Sequence, residues 1–151
     1  MSTAAKFRAL CRDISLSLQA ADPEALGEGR PSGIGGETFQ VLQAADGHAA
    51  LLLTFLGRVQ DDQARSVYEQ LLLLQLTGWN NPDLRFGFDP LTGQVLLCTR
   101  LPGTDQLEPA ALQALIQRLL GQIGHWRGSL LQAVRPDPLD TTAATSAAPI
   151  H

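Results

Sequence analysis

The chain is poor in the residues that most often carry out chemistry. Its 151 residues include two cysteines, Cys11 and Cys98, and three histidines, His48, His125 and His151. The cysteines lie far apart and outside any metal-type spacing, so they read as buried, reduced thiols. A disulfide would need an oxidising compartment, which nothing else in the sequence suggests. No two histidines share a metal-type spacing, and HExxH, CxxC and a G-x-S-x-G elbow are all missing. Asp61-Asp62 is a carboxylate pair, but neighbours at the start of a helix point in different directions and suit capping instead. The sequence therefore offers no catalytic residue, no metal ligand set and no call for a cofactor, and an enzyme is not expected.

Charge and apolar runs remove further classes. Lys and Arg total 11 against 15 Asp and Glu, a net charge of −4, so there is no basic face for nucleic acid. No stretch reaches the roughly 18 apolar residues of a membrane span. The start, MSTAAKFRALCRDISLSL, has neither a long apolar run nor a small-residue cleavage site, so a soluble, cytoplasmic protein is expected. Aromatics are 5% and hydrophobic residues 44%. That composition is ordinary for one globular domain with a core of Leu, Ala, Val and Ile.

What is present is a strong pattern of elements. Phe7, Leu10, Cys11, Ile14 and Leu18 form one apolar stripe, which predicts a helix over 3–20 that ends near Asp22-Pro23. Residues 23–37 hold five glycines between Gly27 and Gly36. A phosphate-cradling loop needs a strand before it and a helix after it, and the order here is the reverse, so a flexible connector is expected. Strands are predicted at 38–44 and 48–57 around an Asp46-Gly47 turn, with room for a third. A second helix over 61–78 would be capped by Asp61 or Asp62 and closed by a left-handed Gly78. Leu84, Phe86 and Phe88 alternate with Arg85, Gly87 and Asp89. The link Asp89-Pro90-Leu91-Thr92-Gly93 then turns the chain into Val95, Leu97, Thr99 and Leu101. A last helix over 109–132 begins at Pro109 and carries Leu112, Leu115, Ile116, Leu119, Ile123, Trp126 and Leu130 on one face. Its glycines, Gly121, Gly124 and Gly128, each cost about 1 kcal/mol against alanine unless close packing offsets them. Residues 135–151 have three prolines and little apolar mass, and are expected to be a disordered tail after a single domain at 1–134. The expected fold is α+β: helix, two or three strands, helix, two strands, helix, sandwiched around a twisted antiparallel sheet.

Two segments carry more apolar surface than one small core requires. The 48–57 strand is apolar on both faces, with Leu51, Leu53 and Phe55 on one and Leu52, Thr54 and Leu56 on the other. The 61–78 helix has a core stripe of Ala64, Val67, Tyr68, Leu71, Leu72 and Gln75, yet Leu73, Leu74 and Leu76 lie off it. Either this helix is sandwiched inside its own domain or its second face meets a partner subunit.

At FGFDPLTGQVLLCTRLPG, followed by the amphipathic helix ending in HWRGSL, the chain resembles the class I type III secretion chaperones, the Tir chaperone (CesT-like) family. The features that carry the resemblance are Phe86 to Phe88, the Asp89-to-Gly93 turn, Val95 to Pro102, Trp126, and the leucine helix ending at Gly78-Trp79. The long glycine-rich loop and the proline-containing tail depart from the family pattern. The resemblance implies a cytoplasmic homodimer of a Gram-negative bacterium. It would hold the N-terminal chaperone-binding segment of a secreted effector in an extended, secretion-competent form, with no small-molecule substrate. The alternative is a non-catalytic adaptor or structural subunit of the same shape. On this reading Leu71, Leu72, Leu74, Leu76, Phe86 and Phe88 form the dimer interface. Phe7, Leu10, Ile14, Phe39, Val41, Leu53 and Phe55 are candidates for effector contact, each equally suited to plain core.

Overall fold

The computed structural model of the protein describes residues 2–45, 49–78, 84–103, 105–129 and 131–136. The elements run α1 (Thr3–Ser17), β1 (Ser32–Ile34), β2 (Glu37–Gln43), β3 (Ala50–Val59), α2 (Ala64–Thr77), β4 (Leu84–Asp89), β5 (Gln94–Leu101), α3 (Pro109–Arg127) and β6 (Val134–Arg135). The strands form one antiparallel sheet in the order β1-β2-β3-β5-β4, and β6 pairs with β3 beyond the start of β2. This is the expected α+β architecture.

Cross-strand register sorts the side chains into two faces, because successive residues in a strand point opposite ways. One face carries Phe39 and Val41, Leu52 and Thr54, and Val95, Leu97 and Leu101, all buried. It joins Phe7, Cys11 and Ile14 of α1 and Leu112, Ile116, Leu119, Ile123 and Trp126 of α3 in a single core. α2 adds Val67 and Leu71 to that core from beside β4. Phe86 of β4 meets Trp126 at 5.6 Å between ring centroids, and Phe88 meets Tyr68 of α2 edge-on at 5.5 Å.

The helix ends differ from the sequence expectation, each for a local reason. α1 stops at Ser17 because Gln19 takes a left-handed φ of 57°, and the Ala20 N–H donates back to the Ser15 carbonyl. Asp61 and Asp62 do not cap α2. They belong to a turn in which the Ala64 N–H donates to Asp61, and the helix starts after Gln63, which makes no side-chain cap bond. Gly78 is not left-handed either, with φ −91°. α3 begins at Pro109 as expected but ends at Arg127, and ahead of β6 the Leu131 N–H donates back to the Trp126 carbonyl at 2.7 Å. Among the described residues nothing lies within 4 Å of a side chain built on Gly121 or Gly124, so packing among them does not offset those two glycines.

The room left for a third strand before α2 is filled from the segment read as a connector, and β6 was not foreseen. The glycine-rich segment is no simple connector, since Ser32–Ile34 pairs with β2 across Gly35-Gly36, both at positive φ. Before it, the loop is fastened by the Arg30 contacts to Asp22 and Glu28, and by Gln40 donating to the Gly29 carbonyl at 2.7 Å. At the other end, Arg135, expected in the tail, pairs with Arg58. Gly57, at φ 121°, permits this approach, because a Cβ there would lie 2.0 Å from the Arg135 carbonyl oxygen. The Asp46-Gly47 turn, His48, Trp79, Leu130 and the tail beyond residue 136 lie outside the described residues.

One ion pair ties these parts together. The Arg127 guanidinium donates to both Glu37 carboxylate oxygens, at 2.8 and 3.2 Å, and to the Val134 carbonyl at 3.1 Å. The side chains are only 19% and 12% exposed, so the fork joins the end of α3, the start of β2 and β6 in a largely dry setting. Arg127→Met, which keeps the stem and removes the charge, strands Glu37 and is expected to cost roughly 2–4 kcal/mol in urea unfolding. Glu37→Gln, which leaves an acceptor in place, should cost less.

Candidate functional site

The second face of the sheet consists of Thr38, Gln40 and Leu42 of β2, Leu51, Leu53 and Phe55 of β3, Leu96, Cys98 and Arg100 of β5, and Arg85 and Gly87 of β4. No described helix packs across it, and its apolar members take no part in the main core. Leu53, hemmed in by Gln40 and Cys98 on the flanking strands, is only 4% exposed, whereas Leu42, Leu51, Phe55, Leu96 and Cys98 are half-buried. The result is a broad, shallow apolar surface built on a rigid scaffold of paired strands.

The second uncovered surface is on α2. Leu72, Leu73 and Leu76 are 66%, 61% and 70% exposed, and their spacing puts them on one side of the helix. Beside them lies edge strand β4, with Phe88 half-exposed and Leu91 bare at the following turn. α2 also shields part of the edge itself, since the Gln75 side-chain oxygen accepts from the Phe86 N–H at 2.8 Å. A third feature, a cavity of about 580 Å³, opens between α3 and the ends of β4 and β5, among Leu84, Leu101, Leu115 and Trp126.

Of the residues assigned to an interface, Leu72, Leu76 and Phe88 are exposed, Leu74 and Phe86 are half-buried, and Leu71 is a core side chain at 5% exposure. Leu73 belongs with the exposed set and was missed. Its position off the core stripe was the available signal. The residues assigned to effector contact divide further. Phe7, Ile14, Phe39 and Val41 point into the core. Leu10 is half-buried on α1, and Leu53 and Phe55 lie on the second sheet face. Leu42, Leu51, Leu96 and Cys98 complete that face. They were missed because a face requires cross-strand register, which a single strand's alternation does not supply.

The chemistry at these surfaces is contact chemistry. Among the described residues no group of three or more His, Cys, Asp or Glu side chains could hold a metal, and His125 stands exposed on α3. No described helix is long and apolar enough to cross a membrane.

The described chain is thus an antiparallel sheet with helices packed on one face. Two solved structures share it: the ExsC–ExsE complex, with a TM-score of 0.64, 23% identity and coverage of 86% of this chain and 97% of that one, and the HopA1–SchA chaperone–effector complex, with a TM-score of 0.58, 18% identity and coverage of 84% and 97%. At these identities the likeness shows the fold. Membership rests on residues 33–127, which match the Tir chaperone protein (CesT) family, and the chain belongs to that family. A comparison with curated proteins finds no match.

Burial pushes the Cys11 thiol up from its ordinary 9.0 to about 12 and raises that of Cys98 as well, so both keep their protons at neutral pH. The unfolded chain ionises Cys11 near 9.0, while the folded chain holds the proton to about 12. The stability this thiol contributes is therefore complete below pH 9 and is lost as pH rises toward 12. Cys11→Ala should be less stable than the natural chain at pH 7. In urea titrations the gap should narrow above pH 9, by at most about 1.4 kcal/mol per pH unit.

Proposed function

We propose that this type III secretion chaperone works without catalysis, as a homodimer in the bacterial cytoplasm. It binds the N-terminal chaperone-binding segment of a secreted effector and keeps it extended and deliverable. The working unit is the domain expected at residues 1–134, closed by strand β6. The observation that carries the reading is that the described residues of one chain leave two separate apolar surfaces uncovered, in a family of chaperones.

The two surfaces suit different partners. The α2 strip is narrow, convex and rich in leucine, and a copy of itself across a two-fold axis matches it without new chemistry. Burying a leucine in full is worth roughly 1.5–3 kcal/mol, so three exposed leucines per subunit are a sufficient anchor for a stable pair. The open sheet face is broad and shallow, which suits a client that brings several apolar side chains along an unfolded segment. Dimer contacts are therefore assigned to Leu72, Leu73, Leu76 and Phe88, with Leu74 and Phe86 behind them. Client contacts are assigned to Leu42, Leu51, Leu53, Phe55 and Leu96.

Light scattering on the purified protein should give about twice 16.2 kDa. Leu72→Asp/Leu76→Asp should give the monomer mass with little loss of helix content, because both side chains are exposed in the subunit. A monomeric natural chain, or a variant that stays dimeric, would remove this assignment.

A separate test addresses the client. Phe55→Asp should keep the dimer mass but lose the effector that co-purifies with the natural protein. Retention of the effector by this variant would take the client off the open face.

A further inference from the structure

The open face of the sheet is not uniformly apolar. At its β4–β5 end stand Arg85 and Arg100, both exposed. Register puts them on the same face as Phe55 and Leu51, with Arg85 opposite Cys98 and Arg100 opposite Leu51. Arg85 and Arg100 are diagonal neighbours across the β4–β5 ladder, so their side chains start about 7 Å apart.

These two cations have no ion-pair partner among the described residues. Arg12, Arg30, Arg65 and Arg127 are each paired with a carboxylate of the chain, Arg8 and Arg118 stand on α1 and α3, and Arg58 and Arg135 share this face at the far end of β3. The carboxylate on the same side of β4 is Asp89, about 13 Å along the strand from Arg85. It is engaged in the turn, where its Oδ1 accepts from the Leu91 N–H at 2.9 Å. A chain of net charge −4 thus sets beside its widest apolar surface two positive charges with no carboxylate partner among the described residues.

Resting on the reading of this face as the client surface, we propose that Arg85 and Arg100 select the client by charge. The segment that lies here carries large apolar side chains over Leu51, Phe55 and Leu96, and carboxylates at the β4–β5 end. A second copy of this chain is a poor occupant. Its own matching face brings further arginines and, among the described residues and apart from the turn-bound Asp89, no carboxylate to meet them. Each exposed arginine adds little by itself, but attraction for acidic segments and repulsion of basic ones act together in discrimination. Screening by salt then becomes the signature of the effect.

The test uses the full-length protein and three labelled peptides that share one pattern of leucine and phenylalanine. They differ in carrying glutamate, glutamine or lysine at the intervening positions, and binding is followed by fluorescence anisotropy. At low salt the glutamate peptide should bind about tenfold more tightly than the glutamine peptide, and the lysine peptide should bind weakest, with the spread collapsing at high salt. Arg85→Glu/Arg100→Glu should reverse the order while leaving the affinity of the glutamine peptide in place. Arg85→Gln/Arg100→Gln should flatten it, which covers the case in which the charge reversal disturbs folding. Equal binding of the three peptides, an order unchanged by both variants, or no binding of the glutamate peptide would overturn the proposal. Phe55→Asp separates this inference from the reading beneath it. If that variant loses all three peptides although the natural chain shows no charge order, the client face stands and the arginine selection falls. A natural chain whose assembly larger than a dimer is dissolved by Phe55→Asp would show the face covered by another copy, which also overturns the proposal.

Discussion

The central strand β3 presents apolar side chains to both sides of the sheet, and the described helices serve one side. Leu52, Thr54 and Leu56 are sealed beneath α1 and α3 with no exposure, while Leu51 and Phe55 on the reverse remain half-buried. An antiparallel sheet ordinarily turns a polar face to water when it has one layer of helices. Here the alternation that would make the reverse face polar is missing in β3 and only partial in β2 and β5. The other unusual features of the chain follow from this constraint. A surface kept apolar without an internal cover has a use for an external one, and the rigidity of paired strands holds it flat and available when the cover is absent.

That surface must be kept from collapsing onto neighbours, and the fold manages its edges accordingly. β4, at one edge, is screened where Gln75 accepts from the Phe86 N–H. β1, at the other, is a strand of three residues ending in a Gly-Gly turn, too short to template a long pairing. Where β2 stops pairing with β3, β6 takes its place, held by the Arg127 fork and admitted by the missing side chain at Gly57. Edge protection and face exposure are thus separate properties of the same sheet: pairing by backbone is restricted while contact by side chain is left open.

How much of this was legible in the sequence depended on whether the signal was local. The α1 stripe, the Asp89-to-Gly93 turn, Pro109 at the start of α3 and the alternation in β4 and β5 are short-range patterns, and all of them correspond to what the chain forms. The excess of leucine in α2 was readable too, because Leu73 and Leu76 lie off the stripe that Val67 and Leu71 define. Helix ends were less readable. Asp61 and Asp62 have the chemistry of caps, but the turn that precedes α2 places Gln63 at the boundary instead. β1 and β6 were the hardest, being three and two residues long, and each exists as a strand only because a longer strand offers it a ladder. The inward positions of Phe39 and Val41 and the outward position of Phe55 likewise follow from which face the helices cover, a tertiary fact that alternation alone cannot orient.

The division of labour proposed for the two apolar surfaces rests on their shapes. A strip of leucines on a helix has a defined axis and a narrow contact, so a matching strip related by two-fold symmetry buries it with little ordering of flexible chain. An open sheet face has no such axis. A globular partner would need a complementary concavity to cover it, whereas an extended segment can follow its twist and place side chains one at a time. Such a segment pays for its ordering when it binds, so the surface must be broad enough to return that cost. Breadth alone would make the surface indiscriminate toward any oily chain. Charges at the β4–β5 end, outside the apolar field and without a partner among the described residues, supply what apolar contact does only weakly: they favour an acidic segment over a basic one.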